Sequence, residues 1–279
     1  MILTINGMPY SFMQTGEGEP LLLLHGFTGD KNDWAPFFPL WGEHFRVIAV
    51  DLPGHGETGK PKDVSRYRME SVVRDIDELL GKLDVRRVHV LGYSMGGRTA
   101  LAYAILRPGR IRSLILEGAS PGLKTEEERE ARKKSDELLA ERILKNGLAD
   151  FVDYWRELPL FRTQKELPEP VYERLWRKRL ANDPYGLAYS LRGMGTGVQP
   201  SFWEDLPRLD IPVLLLAGER DGKFLRIGRE MEKAIKKAKL VAVPGAGHAA
   251  HVENPSFFGK IVMKFIKESE GEPLCRENG

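Results

Sequence analysis

The stretch that decides the fold is "VHVLGYSMGGRTALAYAIL", residues 88–106. Its first six residues form a β-rich apolar run, and from Gly96 onward the chain becomes a run of small and helix-forming residues. Between the two stands Gly92-Tyr93-Ser94-Met95-Gly96, a serine framed by glycines at a strand-to-helix turn. Glycines let the backbone pack through a sharp turn while the serine hydroxyl stays exposed, the geometry of a nucleophile elbow. Outside that context the five residues would say little, since glycine and serine are common in turns. Arg98 follows in the first helical turn, where the partial positive charge of a helix start disfavours a cation. A bound anion would offset that cost, and on this reading removal of Arg98 barely lowers stability.

Working outward, short apolar runs alternate with helical patterns. "PLLLLHG" (20–26), "FRVIAVD" (45–51), "VHVLGY" (88–93), "IRSLILEGA" (111–119), "PVLLLAGE" (212–219) and "KLVAVPGAG" (239–247) read as strands. Their near-continuous apolarity predicts a parallel sheet buried on both faces by helices. "RYRMESVVRDIDELLGKL" (66–83) and "ENPSFFGKIVMKFIKE" (253–268) carry apolar residues at helical spacing, the second with Asn254 and Pro255 where a helix should start. "ILTINGMPYSFMQTGEG" predicts a hairpin turning at Asn6-Gly7. The class is α/β, mostly parallel, with an antiparallel beginning. Residues 121–200 break the rhythm: they are highly charged and helical, with no strand-like run. A strand, helix and connection need roughly 30 to 40 residues, so the surplus is expected to be a helical cap over the strand ends. The expected organisation is a core of residues 1–120 and 201–279 with the cap at 121–200.

Bulk properties narrow the function classes. The 279 residues, 42% of them hydrophobic, suffice for a large core, and the charges nearly cancel at +2. No block of like charge marks a nucleic-acid or membrane partner, so any anion recognition must be local. The single Cys275, in a polar tail that reads as frayed, excludes an internal disulfide framework and a cysteine metal cluster. No leader-like segment and no apolar run of about 18 residues is present. A soluble cytoplasmic protein is expected.

A serine hydroxyl becomes an effective base or nucleophile only when a histidine accepts its proton and a carboxylate orients that histidine. "LLLAGERDGKF" places Asp221 just past a strand, and "VAVPGAGHAAHVENP" places His248 past the next. Both fall at C-terminal strand ends, where open parallel sheets put their sites. Glu117 also ends a strand and rivals Asp221, which is preferred because its loop reads as longer and looser. His251 reads as structural or solvated, His55 as part of a turn, and His25 as the residue that orients the loop at Gly26-Phe27. His44 and His89 carry no signal. The backbone amides of Phe27 and Met95 are the expected oxyanion hole.

These residues resemble the α/β-hydrolase superfamily over nearly the whole chain, in "LLLHGFTGDKNDW", "DLPGHGETG", "GYSMGGRTAL", "GERDGKF" and "GAGHAAHVENP". Within it, Tyr93 before and Arg98 after the serine, together with "LEGASPGLKTEEEREARKKSDE", resemble the 2-succinyl-6-hydroxy-2,4-cyclohexadiene-1-carboxylate synthases of menaquinone biosynthesis. The resemblance implies a lyase that eliminates pyruvate from a small anionic substrate, with no cofactor and no metal. It implies that Arg98, Arg132 and Arg179 bind substrate carboxylates and that Tyr93 and Trp155 line the site. Read from the residues alone, Arg132 could be a solvated helix-face arginine and Trp155 a core aromatic. Motifs alone leave open a serine carboxylesterase or carbon-carbon bond hydrolase, and a non-catalytic ligand-binding homologue.

Overall fold

The structure is a computed structural model, and it describes residues 1–271; Cys275 and the rest of the expected frayed tail lie outside the described residues. A hairpin comes first, β1 (Ile2–Ile5) and β2 (Met8–Thr15), turning through Asn6 and Gly7 in left-handed backbone, φ 48° and 79°. Six strands follow: β3 (Glu19–Leu24), β4 (Phe45–Val50), β5 (Val88–Tyr93), β6 (Ile111–Glu117), β7 (Val213–Gly218) and β8 (Ala238–Val243). All eight lie in one sheet of order β1-β2-β4-β3-β5-β6-β7-β8. Every pairing from β4 through β3 to β8 is parallel, and β2 meets β1 and β4 antiparallel.

Strand alternation divides the core into two layers. Leu22 and Leu24 of β3 face one apolar cluster while Leu21 and Leu23 face the other, and all four are fully buried. The first layer is completed by α2 (Met69–Lys82) and α3 (Met95–Leu106), and the second by Trp34, Phe37, Trp41 of the short α1 (Phe38–Trp41), and Phe258. In α2 the buried residues Met69, Val72, Val73, Ile76, Leu79 and Leu80 recur at the spacing of one helical face.

Between β6 and β7 the described chain is helical. α4 (Glu126–Arg156) opens with a capping box, Thr125 with Glu128, and kinks at Gly147, φ 83°. α5 (Glu169–Leu180) and α6 (Pro184–Met194) complete the insertion, the latter capped by Asp183 with proline in its first turn. Ala140, Ile143, Phe151, Leu187 and Ala188 give it a small core of its own. The chain returns through α7 (Gly222–Ala234), the one-turn α8 (Ala250–Glu253) and α9 (Pro255–Ser269), whose cap is Asn254 Oδ1 accepting the Phe257 amide at 3.3 Å. No helix among the described residues is long and apolar enough to cross a membrane.

The strand order reverses at β3: the chain passes from β3 to β4 on one side and then to β5 on the other. Adjacent crossovers leave a crevice at such a point. The loops after β3 and β5, carrying Phe27 and Ser94, flank it.

Candidate active site

Ser94 sits between β5 and α3 with φ 49° and ψ −105°, a conformation that non-glycine residues rarely adopt. Its amide donates to the Glu117 carbonyl at 2.8 Å, which ties the strained turn to the end of β6. The flanking glycines permit the approach. A Cβ on Gly92 would collide with the Gly96 carbonyl, and one on Gly96 with the carbonyls of Leu24 and His25. The start of α3 is thereby pressed onto the end of β3.

Phe27 and Met95, whose amides are the expected oxyanion donors, both line the cavity beside Ser94. Met95 opens α3, so its N–H is one of the donors a helix start leaves without an internal partner. Phe27 lies in the tight turn closed by the Gly29 amide donating to the Gly26 carbonyl at 3.0 Å. His25 holds that turn from behind. Its Nε2 accepts the Leu52 amide at 2.9 Å, so Nδ1 carries the proton and donates to the Gly26 carbonyl at 2.8 Å. His55, buried with its ring 5.1 Å from that of His25, has its pKa pushed down to about 3, chiefly by burial, and stays neutral.

His248 Nε2 lies 3.2 Å from Ser94 Oγ, and its Nδ1 lies 2.8 Å from Asp221 Oδ2. His248 and Asp221 are 3% and 8% exposed, so the pair is shielded from water's competition. Asp221 is also the N-cap of α7, its Oδ1 accepting the Phe224 amide at 3.1 Å, which fixes the direction of the carboxylate. The expectation of a long, loose acid loop is corrected here: residues 219–221 form a short connection from β7 to α7. What selects Asp221 is direction. Glu117 turns instead to His251, accepting its amide at 3.0 Å and its Nδ1 at 2.9 Å. Burial opposes charge on His251, but Glu117 outweighs it and the pKa is raised. His251 is therefore structural and buried, not solvated.

Above the triad lies a cavity of about 500 Å³ bounded by the strand-end loops and the inserted helices. Arg98, Arg132, Arg179, Tyr93 and Trp155 all line it, with Phe27, Met95, Ser94 and His248. Tyr93 packs between the rings of His248 and His251, at centroid distances of 5.4 and 4.6 Å. Trp155 meets Phe27 edge-on at 5.5 Å, and its buried Nε1 has no partner. Arg179 is 8% exposed, lies over Phe161 at 5.1 Å and donates to Gln164 Oε1 at 2.8 Å. Arg132 Nε donates to Asp136 Oδ1 at 2.7 Å.

Arg98 departs from expectation. Its Nη1 donates to the Met194 carbonyl at 2.8 Å and to Gln199 Oε1 at 2.7 Å. Burial and then Arg132 push its pKa down to about 10, so it stays charged at neutral pH. The view that its removal is nearly free for stability is corrected, because these two bonds go with it. Sequence reading also passed over Lys223, two residues beyond Asp221 and on the cavity wall; burial and then Arg132 lower its pKa. Its place in "GERDGKF" was the available signal. Lys178, also on the wall, is bound by Asp30 and Asp33. The arrangement places a serine–histidine–aspartate array and several cationic side chains on one cavity wall.

Residues 19–255 match the alpha/beta hydrolase fold family, and the chain belongs to that family. Among proteins of known name, it is 31% identical over 257 residues to the 2-succinyl-6-hydroxy-2,4-cyclohexadiene-1-carboxylate synthase of Yersinia pseudotuberculosis, covering 92% of this chain and 90% of the relative. A Bacillus subtilis protein that carries the same synthase name as a provisional assignment is 43% identical over 267 residues, 95% of this chain and 97% of its own length. Among solved structures, MenH from S. aureus superposes with a TM-score of 0.90 at 35% identity, over 94% of this chain and 98% of the other. A thermophilic esterase from Thermogutta terrifontis superposes at 0.84 with 27% identity, over 96% and 98%.

Proposed function

We propose that the chain is a 2-succinyl-6-hydroxy-2,4-cyclohexadiene-1-carboxylate synthase. It is a lyase of menaquinone biosynthesis that eliminates pyruvate from 2-succinyl-5-enolpyruvyl-6-hydroxy-3-cyclohexene-1-carboxylate. The observation that carries the reading beyond the fold is the charge of the cavity: Arg98 from the elbow helix, Arg132 and Arg179 from the insertion and Lys223 beside the acid line the same cavity as the Ser-His-Asp array. A substrate with several carboxylates fits such a wall, since guanidinium groups bind carboxylates through paired, charge-assisted hydrogen bonds. Residues 121–200 act as the cap that brings two of those arginines over the strand ends.

In the proposed mechanism Ser94 Oγ removes a ring proton of the substrate while its own proton passes to His248 Nε2. Asp221 holds Nδ1–H and stabilises the imidazolium that forms. The electron pair left on the ring delocalises as an extended enolate, whose oxygen is met by the amides of Phe27 and Met95. The carbon–oxygen bond to the enolpyruvyl group then breaks. The departing enolpyruvate takes a proton from the Ser94 hydroxyl and becomes pyruvate, while the imidazolium returns its proton to Ser94, so that one proton is removed from the ring and one is delivered to the leaving group. No bond forms between Ser94 and substrate, and no electrons leave the system, so the chemistry calls for neither metal nor organic cofactor. A cytoplasmic location is part of the proposal, in keeping with one cysteine in 279 residues.

The test is direct. Purified protein given the enolpyruvyl substrate in the presence of a chelator should release one pyruvate per substrate consumed. Rapid hydrolysis of simple aryl esters with no pyruvate release would replace this reading with a carboxylesterase.

A further inference from the structure

The two acceptors that hold Arg98 carry no charge. The carboxylate whose field it feels, Asp136, is bonded to Arg132 Nε at 2.7 Å. Gln199, which holds Arg98 through Oε1, is 1% exposed, and its Nε2 is buried without a hydrogen-bond partner. The orientation is forced, because a guanidinium only donates and the amide oxygen must face it. An unmade hydrogen bond from a buried donor is costly. A glutamate at this position would remove the orphaned N–H and give Arg98 an ionic partner. The chain has neither benefit, and what it keeps instead is a cation facing the cavity with no ion-paired carboxylate among the described residues.

Both acceptors also belong to the insertion. Met194 ends α6, and Gln199 closes the following turn, its amide donating to the Gly195 carbonyl at 3.1 Å. Arg98 lies on α3, so the two bonds fasten the insertion to the helix that carries Ser94.

We propose that Gln199 is a positioning residue, a neutral latch that aims the Arg98 guanidinium across the cavity while leaving its charge free for a substrate carboxylate. The inference rests on the reading above that Arg98 meets such a carboxylate. It assigns a specificity role to the turn 195–200: seating of that turn sets the direction of the cation, and the cation sets the affinity for the anion.

The experiment measures kcat, KM and Tm for pyruvate release in the unaltered protein and four variants: Gln199→Glu, Gln199→Met, Arg98→Ala and the double variant Arg98→Ala/Gln199→Met. Gln199→Glu should keep or raise Tm, since it pairs Arg98, yet lower kcat/KM at least about tenfold, mainly through KM. Gln199→Met should lower kcat/KM by a smaller factor, and should add nothing once Arg98 is alanine. Ordinary kinetics in Gln199→Glu, with Arg98→Ala impaired, would overturn the latch alone. An equal loss from Gln199→Met in both backgrounds would do the same, and that comparison stands even if Gln199→Glu does not fold. Ordinary kinetics in Arg98→Ala would instead overturn the carboxylate reading on which the latch depends.

Discussion

Replacing Asp221 by asparagine changes one oxygen to an amide and leaves the shape almost untouched. The structure dictates how the new side chain must sit. Oδ1 accepts the Phe224 amide at 3.1 Å, so an Nδ2–H group placed there would oppose another donor. The asparagine oxygen therefore stays on the helix cap, where asparagine serves as well as aspartate. Its Nδ2–H then faces His248 Nδ1 at the position 2.8 Å away now held by the carboxylate. A donor there forces the imidazole proton onto Nε2, which points at Ser94 Oγ across 3.2 Å. The ring can no longer accept the serine proton. Losing a charge-assisted bond alone accounts for about 1.5 to 3 kcal/mol. With the tautomer inverted as well, kcat should fall on the order of 10³- to 10⁴-fold, about 4 to 5.5 kcal/mol in the barrier. Pyruvate release coupled to lactate dehydrogenase gives the rate, and circular dichroism with a melting curve confirms the fold. A folded Asp221→Asn protein within tenfold of the wild-type kcat would refute the assigned role.

Two further outcomes follow from neighbouring contacts. Gly118 has φ 54°, and a Cβ there would lie 2.8 Å from His248 Cε1, so Gly118→Ala should displace the imidazole. Its kcat should fall at least about tenfold, with a left-handed-backbone penalty of roughly 1 kcal/mol in urea titration; unchanged kcat would contradict the packing. The Glu117–His251 pair makes stability depend on pH. His251 has a folded pKa raised above its unfolded value of about 6.5. Its contribution is therefore complete below that value and is lost as pH rises through the folded pKa. Glu117→Gln should destabilise most at low pH, with the deficit shrinking on the alkaline side. Measuring the difference from wild type isolates the pair from His55 and His89, whose lowered pKa values, about 3 and about 4, act with the opposite sign. A deficit that is constant with pH would contradict an ionised pair.

Local sequence carried much of the framework because its causes are local. Uninterrupted apolar runs such as Leu21–Leu24 could only be strands covered on both faces, and Asn254-Pro255 marked a helix start by capping chemistry. Residue order and placement at strand ends made the meeting of Ser94, Asp221 and His248 legible, because parallel topology sends every strand's C-terminal end to one edge. Loop length says nothing about side-chain direction, and it is direction that separates Asp221 from Glu117, which is turned to His251. Glu117 and His251 are 134 residues apart, and nothing in either neighbourhood announces that they pair. Arg98 was legible as an oddity at a helix start, but its partners Met194 and Gln199 arrive from the other side of the insertion. Gln199 carried no signal at all: a neutral side chain in a polar turn acquires meaning only when the fold buries it against a cation.

The proposed mechanism makes Ser94 the proton acceptor in an elimination. Its most direct test is the kinetics of Ser94→Ala on the enolpyruvyl substrate, with pyruvate and ring product both quantified. In that variant kcat should fall by at least about 10³-fold while KM changes little, because the hydroxyl acts on the proton in flight and not in holding the carboxylates. A folded Ser94→Ala protein that still released pyruvate at the wild-type rate would contradict it.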